Sequence, residues 1–160
     1  MTSPSTHHTT ITSDPTVPLV RIVREFDAPA EKVFRAHTDP ELVTRWLGPR
    51  GLEMRVEHYD CRTGGSYRYV QAENGEEYWF HGSFHEVRPS ERIVQTFTFE
   101  GYPDAVALET LLLEDLGDGR TRLTTTSLVD SFEGRDAFVV SGMEVGVNEG
   151  YERLDELLAG

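Results

Sequence analysis

The stretch VVSGMEVGVNEGYERLDELL, residues 139–158, decides the fold. Within it Val140, Met143, Val147, Tyr151, Leu154 and Leu158 recur in steps of three and four, which makes one apolar stripe along a helix. The spacing predicts a long helix over residues 135–158. Such a stripe has to be buried against a second layer. Gly142, Gly146 and Gly150 lie four residues apart on the same side. Each interior glycine costs about 0.8–1 kcal/mol of helix stability relative to alanine. Two readings fit that cost: the helix approaches its partner layer closely, or the missing side chains leave open volume beside it.

The partner layer is legible immediately upstream. Residues 52–58, 66–71, 78–87, 93–99, 106–116 and 120–128 read as six strands separated by turn signals. Asn74-Gly75 is a strong hairpin signal, and Gly64-Gly65, Arg88-Pro89-Ser90 and Gly117-Asp118-Gly119 mark other turns. Consecutive strands with tight turns make an antiparallel meander. A seventh strand is expected at residues 19–26, followed by two short helices. Asp27 is expected to cap the first, and Thr38-Asp39-Pro40-Glu41 has the form of a capping box for the second. The expected fold class is therefore α+β: an antiparallel sheet of six to seven strands in a layer against a long C-terminal helix.

Residues 1–18 are mostly Thr, Ser, His and Pro and read as a disordered tail. Residues 19–160 read as a single domain. The chain of 160 residues is 38% apolar and 27% charged, a globular composition. Neither a secretory signal nor the run of ~20 apolar residues that a membrane span needs is present. Cys61 is the only cysteine, so no intrachain disulfide forms, and a reducing cytoplasm is the expected setting. Fifteen basic and 28 acidic residues give a formal net charge of −13, and Lys32 is the only lysine. That balance argues against nucleic acid or an anionic membrane as partner.

A space between sheet and helix would have an aromatic lining. Tyr67 and Tyr69 share one strand face, and Phe97 lies on another strand. On residues 78–87, Trp79, His81 and His85 share one face while Tyr78, Phe80 and Phe84 share the other. The sequence leaves open which of these points inward. The candidate ligand-lining residues are Trp46, Tyr67, Tyr69, Trp79, His81, Phe97, Met143, Val147 and Tyr151. If Tyr78, Phe80 and Phe84 face outward instead, they form a patch suited to a homodimer contact.

Signals for catalysis are sparse. His81 and His85 stand about 13 Å apart on a strand, too far to share a metal ion. No nucleophile elbow, phosphate loop or dinucleotide fingerprint is found, and neither a cofactor nor a metal is expected. Arg62 and His58 lie near Cys61 and would lower its pKa if they faced it. Glu86 and Glu109 fall within strands, where either is a candidate buried acid, or a surface group paired with an arginine such as Arg68.

Several stretches, in order, resemble one family: Asp27-Ala-Pro-Ala-Glu-Lys-Val-Phe34, Trp46-Leu-Gly-Pro49, Gly64-Gly-Ser-Tyr67 and Gly82-Ser-Phe-His-Glu-Val87. Pro89-Ser-Glu-Arg-Ile-Val94, Thr121-Arg-Leu-Thr124, Gly142-Met-Glu-Val-Gly146 and Tyr151-Glu-Arg-Leu154 continue the series. Over residues 19–159 the chain resembles bacterial single-domain members of the family named after the activator of the heat-shock-protein-90 ATPase. These belong to the START-like, helix-grip (SRPBCC) superfamily. The resemblance implies a curved sheet wrapping and gripping the C-terminal helix, with a cavity between them, and no shared catalytic set. The expected function is non-catalytic binding of a small, largely apolar or amphipathic molecule in that cavity. The alternatives are a co-chaperone-like regulator with a chaperone or other protein partner, and a cyclase- or hydrolase-type enzyme using a cavity histidine or carboxylate.

Overall fold

The computed structural model describes residues 7–160. Eight strands form one antiparallel sheet in the order β1-β2-β8-β7-β6-β5-β4-β3. The strands are β1 (Thr10–Ser13), β2 (Leu19–Phe26), β3 (Glu53–Tyr59), β4 (Ser66–Glu73), β5 (Glu76–Arg88), β6 (Arg92–Phe99), β7 (Ala107–Gly117) and β8 (Arg120–Leu128). Two helices, α1 (Ala30–Thr38) and α2 (Pro40–Trp46), follow β2, and α3 (Phe132–Val140) and α4 (Met143–Ala159) follow β8. The Asn74-Gly75 turn has positive φ at both residues, as a tight hairpin requires.

Three expectations are corrected. First, the sheet has an eighth strand. Of the segment read as a disordered tail, residues 1–6 lie outside the described residues, but Thr10–Ser13 pair with Val20–Val23 as the edge strand β1. Ile11 packs against the core and anchors this strand. Second, the C-terminal helix is two helices. Gly142 adopts a left-handed φ of +94°, which no helix interior accommodates, and it caps α4. Val140, counted in the apolar stripe, is consequently 82% exposed. Third, Asp27 caps nothing. Pro29 precedes α1 without a side-chain cap, while Asp27 bonds His7 at 2.9 Å. Asp39 does cap α2, accepting from the Glu41 N–H at 3.0 Å.

The core is built where strand alternation meets the helices. Val20, Ile22, Arg24 and Phe26 of β2 all point inward. They meet Val33 of α1, Leu123 of β8, and Tyr151, Leu154 and Leu158 of α4. Arg24 is the exception in chemistry. It is 3% exposed, and its guanidinium makes two bonds to Asp155 of α4, at 3.0 and 2.5 Å. A buried ion pair of this geometry clamps the C-terminal half of α4 to the sheet. Gly150, one turn earlier, allows α4 to touch the chain after α2. A Cβ there would stand 3.3 Å from the Trp46 carbonyl oxygen and 3.4 Å from the Gly48 nitrogen.

Removing one partner of the clamp strands a buried charge. Asp155→Ala is expected to cost about 3–5 kcal/mol in denaturant unfolding. The double variant Arg24→Met/Asp155→Leu, which leaves no lone charge, should recover most of that loss. Equal destabilisation by both would show that the pair contributes only packing.

Candidate functional site

The first half of α4 does not reach the sheet. Gly150, Tyr151, Leu154 and Leu158 are buried, whereas Met143, Gly146 and Val147 are only partly so. Between that half-helix, α2, Phe138 of α3 and the concave sheet face lies a cavity of about 350 Å³. Gly146 lines it, with only the Pro49 Cδ near the position of an added Cβ, at 3.6 Å. Of the two readings of the glycine row, open volume is found at Gly146, while the close approach at Gly150 is to the chain after α2 rather than to the sheet. Gly142 does neither and breaks the helix.

Seven of the nine predicted lining residues come together here: Trp46, Tyr67, Tyr69, Phe97, Met143, Val147 and Tyr151. Their rings form a connected wall. Tyr67 stacks on Tyr69 at 5.9 Å, Tyr69 on Phe80 at 5.2 Å, and Phe80 on Phe97 at 5.4 Å. Opposite them, Trp46 lies parallel to Tyr151 at 6.2 Å, its indole N–H donating to the Ala36 carbonyl at 2.8 Å. Tyr67 holds its place through a glycine. It crosses its register partner Gly82 and donates to the Thr96 carbonyl at 2.7 Å, and any side chain at position 82 would collide with both.

Trp79 and His81 are not part of the wall. The register pairs Tyr69 with Phe80 and Tyr67 with Gly82, so Phe80 points inward and Trp79 and His81 point outward. On the outer face the Arg68 guanidinium covers Trp79 at 4.0 Å, and His81 bonds Glu100 at 2.9 Å. The outward patch of Tyr78, Phe80 and Phe84 does not exist either. Phe80 lines the cavity and Phe84 is 1% exposed in the core.

The polar groups of the cavity are few. Glu109 of β7 faces in and accepts from Gln95 Nε2 at 3.1 Å, with Ser127 beside it. Burial pushes its carboxyl up to about 7, against the pull of those two neighbours. Arg68, weighed as its partner, pairs instead with Glu100 and Glu57 on the outer face. Glu86 is also outside, paired with Arg88 and Arg92. Tyr151 is raised to about 12 by burial. Cys61 is not an activated thiol: burial, then the Asp60 charge, raise it to about 12.

Two further polar groups escape the sequence reading. His37 of α1 is 8% exposed, sits edge-on to Trp46 at 4.8 Å and lines the cavity. Its Nδ1–H donates to the Val33 carbonyl at 2.8 Å, which leaves Nε2 as a bare acceptor. Burial lowers its pKa and keeps the ring neutral. Its position one turn after Val33, on the buried side of α1, is the signal that would have found it. Thr125 Oγ1 on β8 is buried with no aligned hydrogen-bond partner, and its residue lines the same space. Among the described residues no group of histidine, cysteine and carboxylate side chains is arranged to hold a metal ion. No described helix is long and apolar enough to cross a membrane.

A curved antiparallel sheet around a C-terminal helix, with a cavity between them, defines a START-like, helix-grip domain. The family model described as activator of Hsp90 ATPase homolog 1-like protein matches residues 27–159, and the chain belongs to that family. A crystal structure of a Rhodobacter sphaeroides protein superposes with a TM-score of 0.85 at 28% identity, covering 94% of this chain and 97% of that one. A solution structure of an Arthrobacter aurescens protein gives 0.85 at 27% identity, covering 94% and 91%. A crystal structure of a Chromobacterium violaceum protein gives 0.77 at 28%, covering 89% and 98%. The search of curated proteins finds no match.

Glu109 carries a stability signature. Its folded pKa lies above the ordinary value of 4.5, so the folded state holds the proton more tightly. The stability this contributes is complete below about pH 4.5 and is lost as pH rises through about 7. Glu109→Gln should therefore stabilise the protein at pH 8 relative to its effect at pH 5, by on the order of 2 kcal/mol. Urea unfolding of both proteins at both pH values reads this difference, and a pH-independent effect would contradict the buried placement.

Proposed function

We propose that this chain binds a small, largely apolar molecule in the cavity between the sheet and α4, without transforming it. The observation that carries the reading is an aromatic-walled space of about 350 Å³ with an acid, Glu109, and a histidine, His37, in its lining. Ligand sites are of this kind: roughly 300–1,000 Å³, mostly apolar, with a few hydrogen-bonding groups to set orientation. A closed core would have filled the space beside Gly146. The aromatic wall sets the shape of the apolar body, and His37 and Glu109 set where its polar end lies.

An acid–base enzyme is a second reading, favoured by the two titratable groups Glu109 and His37 in the cavity lining. Its other sequence candidates, His81, His85 and Glu86, stand on the outer face or rim rather than in the cavity. Turnover of a bound compound that Glu109→Gln abolishes would move the assignment to this reading. A co-chaperone role would use a surface site, and the cavity gives it no support.

Gly146 tests the placement. Gly146→Phe introduces a ring on the cavity side of an exposed half-helix and removes an interior glycine, so the fold should survive with a helix about 0.5–1 kcal/mol more favourable intrinsically. Binding of a neutral apolar fluorophore, N-phenyl-1-naphthylamine, should fall at least ~10-fold, the loss that about 1.4 kcal/mol of blocked contact produces. Unchanged fluorophore binding by a folded Gly146→Phe protein would place the site elsewhere.

A further inference from the structure

Glu109 is the only acidic side chain lining the cavity, and neither a lysine nor an arginine among the described residues lines it. Its hydrogen-bonding neighbours, Gln95 and Ser127, are uncharged. The titratable groups that face it are Tyr59 from β3, Tyr67 and Tyr69 from β4, and Tyr151 from α4, all of which feel its charge. Burial holds each of these phenols in its neutral form. His37, from α1, is neutral as well. The lining residues from β2, β5, β6, α2 and α3 include no ionisable side chain. Arg24 reaches the neighbourhood of Tyr151, but its guanidinium is bound to Asp155.

A half-buried carboxyl in this setting lacks the counter-ion that acids withdrawn from water ordinarily have. The wall around it is suited to one kind of partner. Aromatic faces attract cations through their quadrupoles, and an enclosed set of them recognises organic ammonium groups. The bare Nε2 of His37 and the phenol oxygens can accept hydrogen bonds from an N–H donor.

We propose that the ligand of this cavity is an amphipathic organic amine, bound as its ammonium ion with the charge on Glu109 and its apolar body against the aromatic wall. This rests on the cavity-binding reading above and names the ligand's polar end. An anionic ligand is disfavoured on the same grounds, since no cation in the wall would meet it. A neutral ligand gains nothing from an ionised Glu109, so its affinity would not rise as Glu109 loses its proton.

The test compares two probes of nearly equal shape, 2-(2-naphthyl)ethylamine and 2-(2-naphthyl)ethanol, by calorimetric titration of the full chain. At pH 8 the amine should bind at least ~10-fold more tightly than the alcohol, as expected for a charge-assisted hydrogen bond. Between pH 5.5 and pH 8 the amine stays protonated while Glu109 ionises, so its affinity should rise about 10-fold or more. The alcohol should show no such rise. In Glu109→Gln the ratio of the two affinities should collapse towards one. Equal affinities at pH 8, an amine affinity indifferent to pH, or an amine advantage that persists in folded Glu109→Gln overturns the amine assignment while alcohol binding keeps the cavity reading intact. If neither probe binds, the cavity reading falls and takes this inference with it.

Discussion

The helix α4 is held at one end, and the rest of the architecture follows from that. Its C-terminal half is tied to the sheet by the Arg24–Asp155 pair, and at Gly150 it touches the backbone after α2. Both contacts fix the helix axis. In the other half, Gly146 projects nothing into the gap and Val147 is short. The break at Gly142 separates α3 from α4, so Phe138 comes over the gap as a separate piece. Alanine at position 146 would make the helix intrinsically more stable by about 1 kcal/mol. The chain forgoes that stability at the position where a side chain would begin to close the gap.

The same trade is visible in the electrostatics. A buried carboxyl without a counter-ion lowers stability wherever it is ionised, and Glu109 has neutral neighbours only. Elsewhere the chain pairs its charges readily: Arg68 with Glu100, Arg88 with Glu86, and Arg24 with Asp155 even inside the core. Fifteen arginines and lysines are available, and none lines the cavity. Local violations of folding consistency tend to collect at functional sites. Here an acid without a counter-ion and a helix glycine violate it around the same 350 Å³.

Much of this was legible in the sequence, and what was not has identifiable causes. Strand positions could be read because the turns are marked by glycine, and the apolar stripe from Met143 to Leu158 announces α4. The strand β1 is too short and too polar for pattern alone; its existence depends on pairing with Val20–Val23. The helix break at Ser141-Gly142 is ambiguous in sequence, because a glycine inside a helix and a glycine between two helices look alike. The face of β5 is a different case. A two-residue turn at Asn74-Gly75 fixes the register, so that Tyr69 must pair with Phe80 and Tyr67 with Gly82. Once Tyr67 and Tyr69 are placed inside, Trp79 and His81 are necessarily outside. Face alternation along a single strand does not contain that information, whereas the hairpin does.

The cavity has two layers of specification, an aromatic wall and a few polar groups. The stretches that mark the family supply part of the wall, namely Tyr67, Gly82 that lets it pass, Trp46, Met143, Gly146 and Tyr151, whereas Tyr69, Phe80 and Phe97 lie outside them. His37, Gln95, Glu109 and Ser127 all fall outside those stretches. The wall makes a hollow fold member, and a hollow of this shape says little about what fills it. Four polar residues placed around that hollow determine charge and donor–acceptor pattern. None of them bridges α4 to the sheet in the way that Arg24 and Asp155 do, so they are not part of the grip itself. The fold thus accounts for the cavity, and on the binding reading proposed above these polar groups are where a ligand's polar end would be met.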